Sequence, residues 1–288
     1  MENKVFKISI PLSSANLGCG FDSLAIALSL YNTYTFTTSS EFSLSGFKKA
    51  YANKNNLCLQ SYLKTFEKLG LEPVKVNIDI KQDIPNCGGL GSSANVIIAG
   101  VMAANYFSGK GLSINELAKI ACELEGHPDN VIAEMFGGIT SAVKEDGEYK
   151  YFKYDVSNDL VFTILVPSFS LNTKEMRQCL PKEVKLEDAV YNLSRALNTV
   201  NAFQKGDFES LKFLLKDKLH EQYRIFKIEN AQEIKEEVIK DGNILLISGS
   251  GASLLIISKE EVSKNFDGFE KYSLKVCNEG LKTVYIKL

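Results

Sequence analysis

Apolar and polar positions change period several times along the chain, and each change marks an element. Residues 4–10, KVFKISI, alternate as a strand does, and 31–38, YNTYTFTT, repeat the signal with Thr and aromatic residues. In 74–80, VKVNIDI, the alternation puts Val74, Val76, Ile78 and Ile80 on one face of a half-buried strand. The period then lengthens. Residues 93–109, SANVIIAGVMAANYFSG, predict a buried helix ending near Gly109. SINELAKIACELEG at 113–126 predicts another, opened by a capping box of Ser113 and Glu116 and closed by Gly126. GGITSAVKEDGEYKYFKYD at 137–155 reads as a hairpin turning at Asp146–Gly147. A new unit begins near residue 158. LVFTILVP is a buried strand, and helices follow at about 174–179, 186–205 and 207–217. NILLISGSGASLLIIS is a strand broken by a glycine turn, and KTVYIKL is a final strand. No repeat, low-complexity tract or long linker interrupts the pattern. The expected class is α+β in two halves, 1–157 and 158–288.

Composition narrows the function classes. The chain has 288 residues, 45% of them hydrophobic and 24% charged, with only 6 Pro. That is the profile of an ordered globular protein. A net charge of −2 carries no basic field for nucleic acid. No run of 18 apolar residues predicts a membrane span. The opening MENKVFKISI is charged and lacks the apolar core of a signal peptide. The 6 Cys are scattered without a CxxC pair, which fits reduced thiols in a cytoplasm, and 2 His exclude a His-rich metal centre.

Candidate chemistry concentrates first in IPNCGGLGSSAN, 84–95. Gly88, Gly89 and Gly91 let backbone N–H groups approach a ligand closely. Ser92 and Ser93 stand where a helix begins. A helix start offers unpaired N–H groups and about half a positive charge, hence an anion site suited to phosphate. The P-loop pattern, with its Lys, is missing, and so is the GxGxxG pattern with its distant acid. By itself the stretch also fits a plain glycine turn.

Three further clusters carry polar groups. SSANLGCGFDS at 13–23 forms a loop between two strands, in which Asn16 and Asp22 suit a small polar substrate, Asp22 an ammonium. In ELEGHPDNV at 123–131, Glu125 falls on the apolar stripe of its helix and Glu123 on the opposite side. A carboxylate facing the interior needs a cation, which favours Glu125 over Glu123 as a Mg²⁺ ligand. His127, Asp129 and Asn130 then stand in a non-helical turn before Val131. In LNTKEMR, Thr173 and Arg177 are four apart on one helix face, as are His220 and Arg224 in DKLHEQYR; either pair equally fits a solvated face. SGSG at 248–251, with Gly249, either lines a ligand or reverses the chain.

Together these segments resemble the GHMP kinases. The family's P-x-x-x-G-L-G-S-S-A motif is matched by Pro85, Gly89, Leu90, Gly91, Ser92, Ser93 and Ala94. Within the family, S-A-N-L-G-x-G-F-D of the homoserine kinases matches Ser14 through Asp22. H-x-D-N-V matches from His127, T-x-x-x-R matches Thr173 and Arg177, and S-G-S-G matches Ser248–Gly251. The resemblance spans residues 5 to about 255. Cys19 stands where Pro is common, Asn95 where a small residue is usual, and Ala252–Ser253 where Pro-Thr is frequent.

The resemblance implies a two-domain fold, with the ATP loop in the N-terminal domain and a ferredoxin-like C-terminal domain. It implies ATP and Mg²⁺ as cofactors and L-homoserine as substrate, with O-phospho-L-homoserine as product. The phosphates would lie on Pro85, Asn86, Cys87, Gly88, Gly89, Leu90, Gly91, Ser92, Ser93 and Ala94, with Asn56 on the adenine side. Ser93 and Glu125 would hold the metal. Asn16, Asp22, His127, Asp129, Asn130 and Gly249 would hold substrate, with Arg177 or Arg224 on its carboxylate. Thr173 and Arg177 would organise the hydroxyl and the transferring phosphoryl group, and no general base is assigned. Two rivals stay open: a GHMP kinase for another alcohol, and a family member that binds without catalysis. A homodimer is compatible with this reading.

Overall fold

The computed structural model describes residues 4–287 apart from Ser170; the side chains of Thr173 and of residues 284–287 are outside the description, as is the last residue of KTVYIKL. Strands β1 (Lys4–Ala15) and β2 (Leu24–Thr38) pair antiparallel along most of their length. Both run further than 4–10 and 31–38. The loop between them shrinks to 16–23, because Pro11–Ala15 pair with residues 25–31. The ladder shifts register between Pro11 and Leu12, and this irregularity accommodates a Pro inside a strand. β3 (Ser43–Ser45), β4 (Val76–Gln82) and the hairpin β5 (Ile139–Glu145) and β6 (Glu148–Tyr154) complete this sheet with β11 (Lys282–Lys287), in the order β11-β1-β2-β4-β3, with β5 joined to β2 and β6. The hairpin turns where expected, with both Asp146 and Gly147 at positive φ.

Four helices pack against this sheet: α1 (Leu57–Lys68), α2 (Ser92–Ser108), α3 (Ile114–Glu125) and α4 (Pro128–Phe136). Phe6, Ile8, Ile10, Phe36, Ile78, Ile98 and Leu117 meet in their common core. The capping box at Ser113 forms, and Gly109 and Gly126 end their helices at positive φ.

The second sheet is β7 (Val161–Pro167), β8 (Ile244–Ile247), β9 (Leu254–Ser258) and β10 (Phe269–Leu274), in the order β10-β7-β9-β8. Numbered within the sheet, this is the 4-1-3-2 order of a ferredoxin-like layer. Between β9 and β10 the described residues carry no helix. Both faces are covered, so the strands read as unbroken apolar runs. Phe162, Ile164, Leu246 and Leu255 face one core, with Phe203 of α6 (Leu186–Lys205) and Leu211 of α7 (Phe208–Leu214). Leu165, Leu245 and Ile256 face the other, with Met176 of α5 (Thr173–Gln178) and Ile234 of α9 (Ala231–Lys240). A short α8 (Glu221–Arg224) and a 3-10 turn lie between α7 and α9. Among the described residues no helix is long and apolar enough to cross a membrane.

Candidate active site

The glycine loop delivers α2 to the centre of the molecule. Gly91 takes positive φ as its N-cap, and no side chain caps the helix. The first N–H groups of a 17-residue helix are therefore left for a ligand. On one side of Ser92 and Ser93 lies a cavity of about 240 Å³. It is lined by Asn16, Asp22, Cys87, Gly88, Gly89, Gly91, Glu125, His127, Asp129, Asn130, Arg177, Arg224 and Gly249. On the other side a larger cavity of about 500 Å³ is lined by Asn32, Phe47, Tyr51, Asn53, Asn55, Asn56, Gln82, Asn86 and Val96. Both cavities share Ser92 and Ser93.

Most of the candidate side chains thus converge, but not all reach a cavity. Leu90 and Ala94 are buried in the cores, so only their backbone serves the loop. The Thr173 side chain lies outside the described residues. Asn56 lines the larger cavity, yet its side chain is spent as the N-cap of α1: Oδ1 accepts from the N–H of Cys58 and Leu59, and Nδ2 donates to the Tyr51 carbonyl. Its contribution is to hold the wall formed by 47–57. Asn56→Ala should cost about 1 kcal/mol of stability, as lost caps do, and weaken nucleotide binding in step. Thermal melts with and without ATP would measure both.

The segment 127–130 differs from expectation. It is not a non-helical turn: α4 begins at Pro128, with His127 as N-cap and Asp129 in the first turn. Proline at N1 and an acid in the first turn are helix-start signals. The helix presents Asp129 and Asn130 to the cavity from a rigid element.

The two arginine-bearing segments also resolve. Arg177 grips Asp22 with two hydrogen bonds, Nη1 to Oδ2 at 3.0 Å and Nη2 to Oδ1 at 2.9 Å. This pair bridges the β1–β2 loop and α5 over the cavity mouth, so in this state the carboxylate suited to an ammonium and the guanidinium suited to phosphoryl oxygens hold each other. His220 and Arg224 are buried rather than on a solvated face. Arg224 donates to the carbonyls of Met176, at 3.2 Å, and Gly249, at 3.4 Å. Among the described residues it has no carboxylate within ion-pair distance. A buried guanidinium with neutral acceptors calls for an anion in the cavity it lines.

SGSG both reverses the chain and builds the site. Ser248 Oγ donates to the Gly89 carbonyl at 2.6 Å, the Ser253 N–H to the Gly88 carbonyl at 3.2 Å, and Asn16 Nδ2 to the Gly249 carbonyl at 2.6 Å. Asn16 Oδ1 accepts from the Asp22 N–H, so its side chain locks the first loop to this turn. A Cβ at Gly89 would fall 2.1 Å from the Ser248 carbonyl oxygen, and one at Gly88 2.4 Å from that of Gly251. The two turns meet backbone to backbone.

Glu125 and Glu123 separate cleanly. Glu123 pairs with Lys68 at 2.8 Å on the surface. Glu125 accepts a hydrogen bond from the Ser93 hydroxyl at the cavity. Loss of solvent pushes the Glu125 carboxyl up to about 7, against the Ser93 hydrogen bond, which lowers it, and with a further rise from Asp129. Burial also raises Asp129, and burial raises Glu134 well above its usual range. Two adjacent oxygen donors, one a carboxylate short of a counter-charge, fit a hard cation completed by phosphate and water oxygens.

These raised carboxyls have a consequence for stability. A group that binds its proton more tightly folded than unfolded contributes stability that is complete below its unfolded pKa. That contribution is lost as pH rises through the folded value. For Glu125 the window runs from 4.5 to about 7. In EDTA, Glu125→Gln should flatten the fall of Tm across that window; an unchanged slope would remove Glu125 as a source.

Comparison with known proteins fits this geometry. Residues 56–138 match the model of the GHMP kinases N terminal domain. A homoserine kinase of Clostridium botulinum (strain 657 / Type Ba4) is 38% identical over 269 residues, covering 91% of this chain and 90% of the relative. The chain belongs to the homoserine kinases of the GHMP family. The crystal structure of the homoserine kinase from Cytophaga hutchinsonii superposes with a TM-score of 0.85 at 27% identity, covering 97% of both chains. The mevalonate diphosphate decarboxylase of Staphylococcus aureus shares the fold alone, with a TM-score of 0.70, 13% identity and 98% of both chains covered. The matched N-terminal segment contains the glycine loop, Glu125 and the start of α4. The elements that bring Arg177, Arg224 and the second glycine turn to the smaller cavity lie beyond it.

Proposed function

We propose that this enzyme transfers the γ-phosphoryl group of ATP to the hydroxyl of L-homoserine, giving O-phospho-L-homoserine and ADP, a step toward threonine. The observation that carries the reading is the placement of the uncapped α2 N-terminus between two cavities. A base and sugar fit the larger one, a small zwitterion the smaller one, and phosphates the N–H groups between them. Backbone N–H groups of residues 87–93 hold the β- and γ-phosphates. Ser93 and Glu125 would hold Mg²⁺, which when bound neutralises phosphate charge. Arg224 faces the substrate carboxylate, Asp22 its ammonium, and Asp129 and Asn130 the hydroxyl end. Arg177 leaves Asp22 in part to reach the transferring phosphoryl group. The two halves, 1–157 and 158–288, both contribute to this site, with β11 crossing back from the second half into the first sheet. The free cysteines and both substrates go with a cytoplasmic location.

The test is direct. Purified protein with Mg-ATP and L-homoserine should yield O-phosphohomoserine by mass spectrometry, with L-threonine and mevalonate as control acceptors. Faster turnover of another acceptor, or ATP binding without turnover of any, would overturn the assignment.

A further inference from the structure

Beneath the glycine loop lies a polar cluster that the contacts above do not use. Before the register shift in β1, Phe6, Ile8 and Ile10 face the first core; after it, Leu12 faces the second. The shift therefore turns Ser13 toward α4. Ser13 Oγ lies 2.9 Å from Oδ1 of Asn130 and 2.6 Å from Oε1 of Glu134. Glu134 is fully buried. Its Oε2 accepts from Asn95 Nδ2 at 3.2 Å, and Asn95 is further held by the Pro11 carbonyl and the Tyr34 hydroxyl. The unusual Asn95 of the glycine motif thus has Glu134 as its partner.

The protons in this cluster can be counted. A serine hydroxyl donates once, and Ser13 has two oxygens in reach. Turning the Asn130 amide over would let its NH₂ donate to Ser13. It would also put the amide oxygen 3.5 Å from Oδ1 of Asp129, where the NH₂ now lies. The pattern closes when Glu134 keeps its acid proton and donates to Ser13, and Ser13 donates to Asn130 Oδ1. Burial first, then the nearby Glu125 and Asp129 carboxylates, favour that form; the Ser13 and Asn95 hydrogen bonds oppose it in part.

We propose that Glu134 is a positioning residue: through Ser13 it holds the Asn130 carboxamide with its NH₂ on the cavity side, as a donor to an oxygen of the bound acceptor. This rests on the reading that Asn130 lines the acceptor site. The test is steady-state kinetics, with melts to check folding, of Ser13→Ala, Glu134→Met, Glu134→Gln and Asn130→Ala. Ser13→Ala and Glu134→Met should raise KM for L-homoserine about tenfold, the worth of one oriented hydrogen bond, with KM for ATP within about twofold. Glu134→Gln should recover most of the loss, since its NH₂ donates to Ser13 and its oxygen accepts from Asn95. Asn130→Ala sets the reference and should be impaired at least as much.

An unchanged homoserine KM in Ser13→Ala and Glu134→Met, beside an impaired Asn130→Ala, overturns the proposal. So does a parallel rise in KM for ATP, or Gln performing no better than Met, which would leave Glu134 as packing under the loop. If Glu134→Met does not fold, Ser13→Ala and Glu134→Gln decide. A normal Asn130→Ala instead overturns the acceptor-site reading.

Discussion

Arg177→Ala should lower kcat/KM by about 10²–10³-fold, the loss typical of a donor aimed at transition-state charge. The fall should appear in kcat more than in Tm. Arg177 and Asp22 are each about a third exposed, with side-chain accessibilities of 34% and 37%. Such pairs contribute about 0–1 kcal/mol to stability, so the folded enzyme survives the change. The guanidinium can swing only as far as α5 allows, and its two-pronged grip on Asp22 sets where it waits. Arg177→Lys should rescue poorly, because an ammonium cannot offer the planar fork. Single-turnover rates would separate chemistry from release. A near-wild-type kcat/KM in Arg177→Ala would remove the residue from the mechanism.

The second large effect concerns the paired glutamates. Glu125→Gln should raise the Mg²⁺ requirement by at least about tenfold, because a neutral amide is a weaker ligand for a hard cation. Glu123→Gln should leave it unchanged, since that carboxylate is committed to Lys68 outside the cavity. Mg²⁺ titrations of initial rate at saturating ATP would compare the two. Equal behaviour of both variants would remove Glu125 as a ligand. Two residues on one helix, two positions apart, differ here only in which face they occupy, and the capping box that starts α3 at Ser113 sets that phase.

Much of this was legible in the sequence where the physics is local. Alternation located β4, unbroken apolar runs located β7 and β8–β9, and caps at Ser113, Gly109 and Gly126 bounded two helices. The apolar stripe of α3 separated Glu125 from Glu123. What escaped was set by partners far along the chain. Pro11–Ala15 look like loop because they are polar and begin with Pro, yet ladder pairing with 25–31 makes them strand. α4 carried its own start signals in Pro128 and Asp129, but the polar run H-P-D-N masked them. α1, with Asn56 as its cap, and α9 were overlooked although both are amphipathic. Asn56 lines the larger cavity and also caps α1, a second duty that the motif resemblance does not reveal. The Ser13–Glu134–Asn95 cluster was not visible at all: its members are far apart in sequence, and the face Ser13 occupies depends on a one-residue register shift.

The backbone contact between the two glycine turns makes the proposed phosphate site a sensor of tertiary assembly. The Gly88 and Gly89 carbonyls accept from the Ser253 N–H and the Ser248 hydroxyl, both on the turn between two strands of the other sheet. The glycine loop therefore has its shape only while that sheet is docked. Mild denaturant should abolish nucleotide binding before helical signal falls, and a saturating nucleotide should in turn hold the two sheets together.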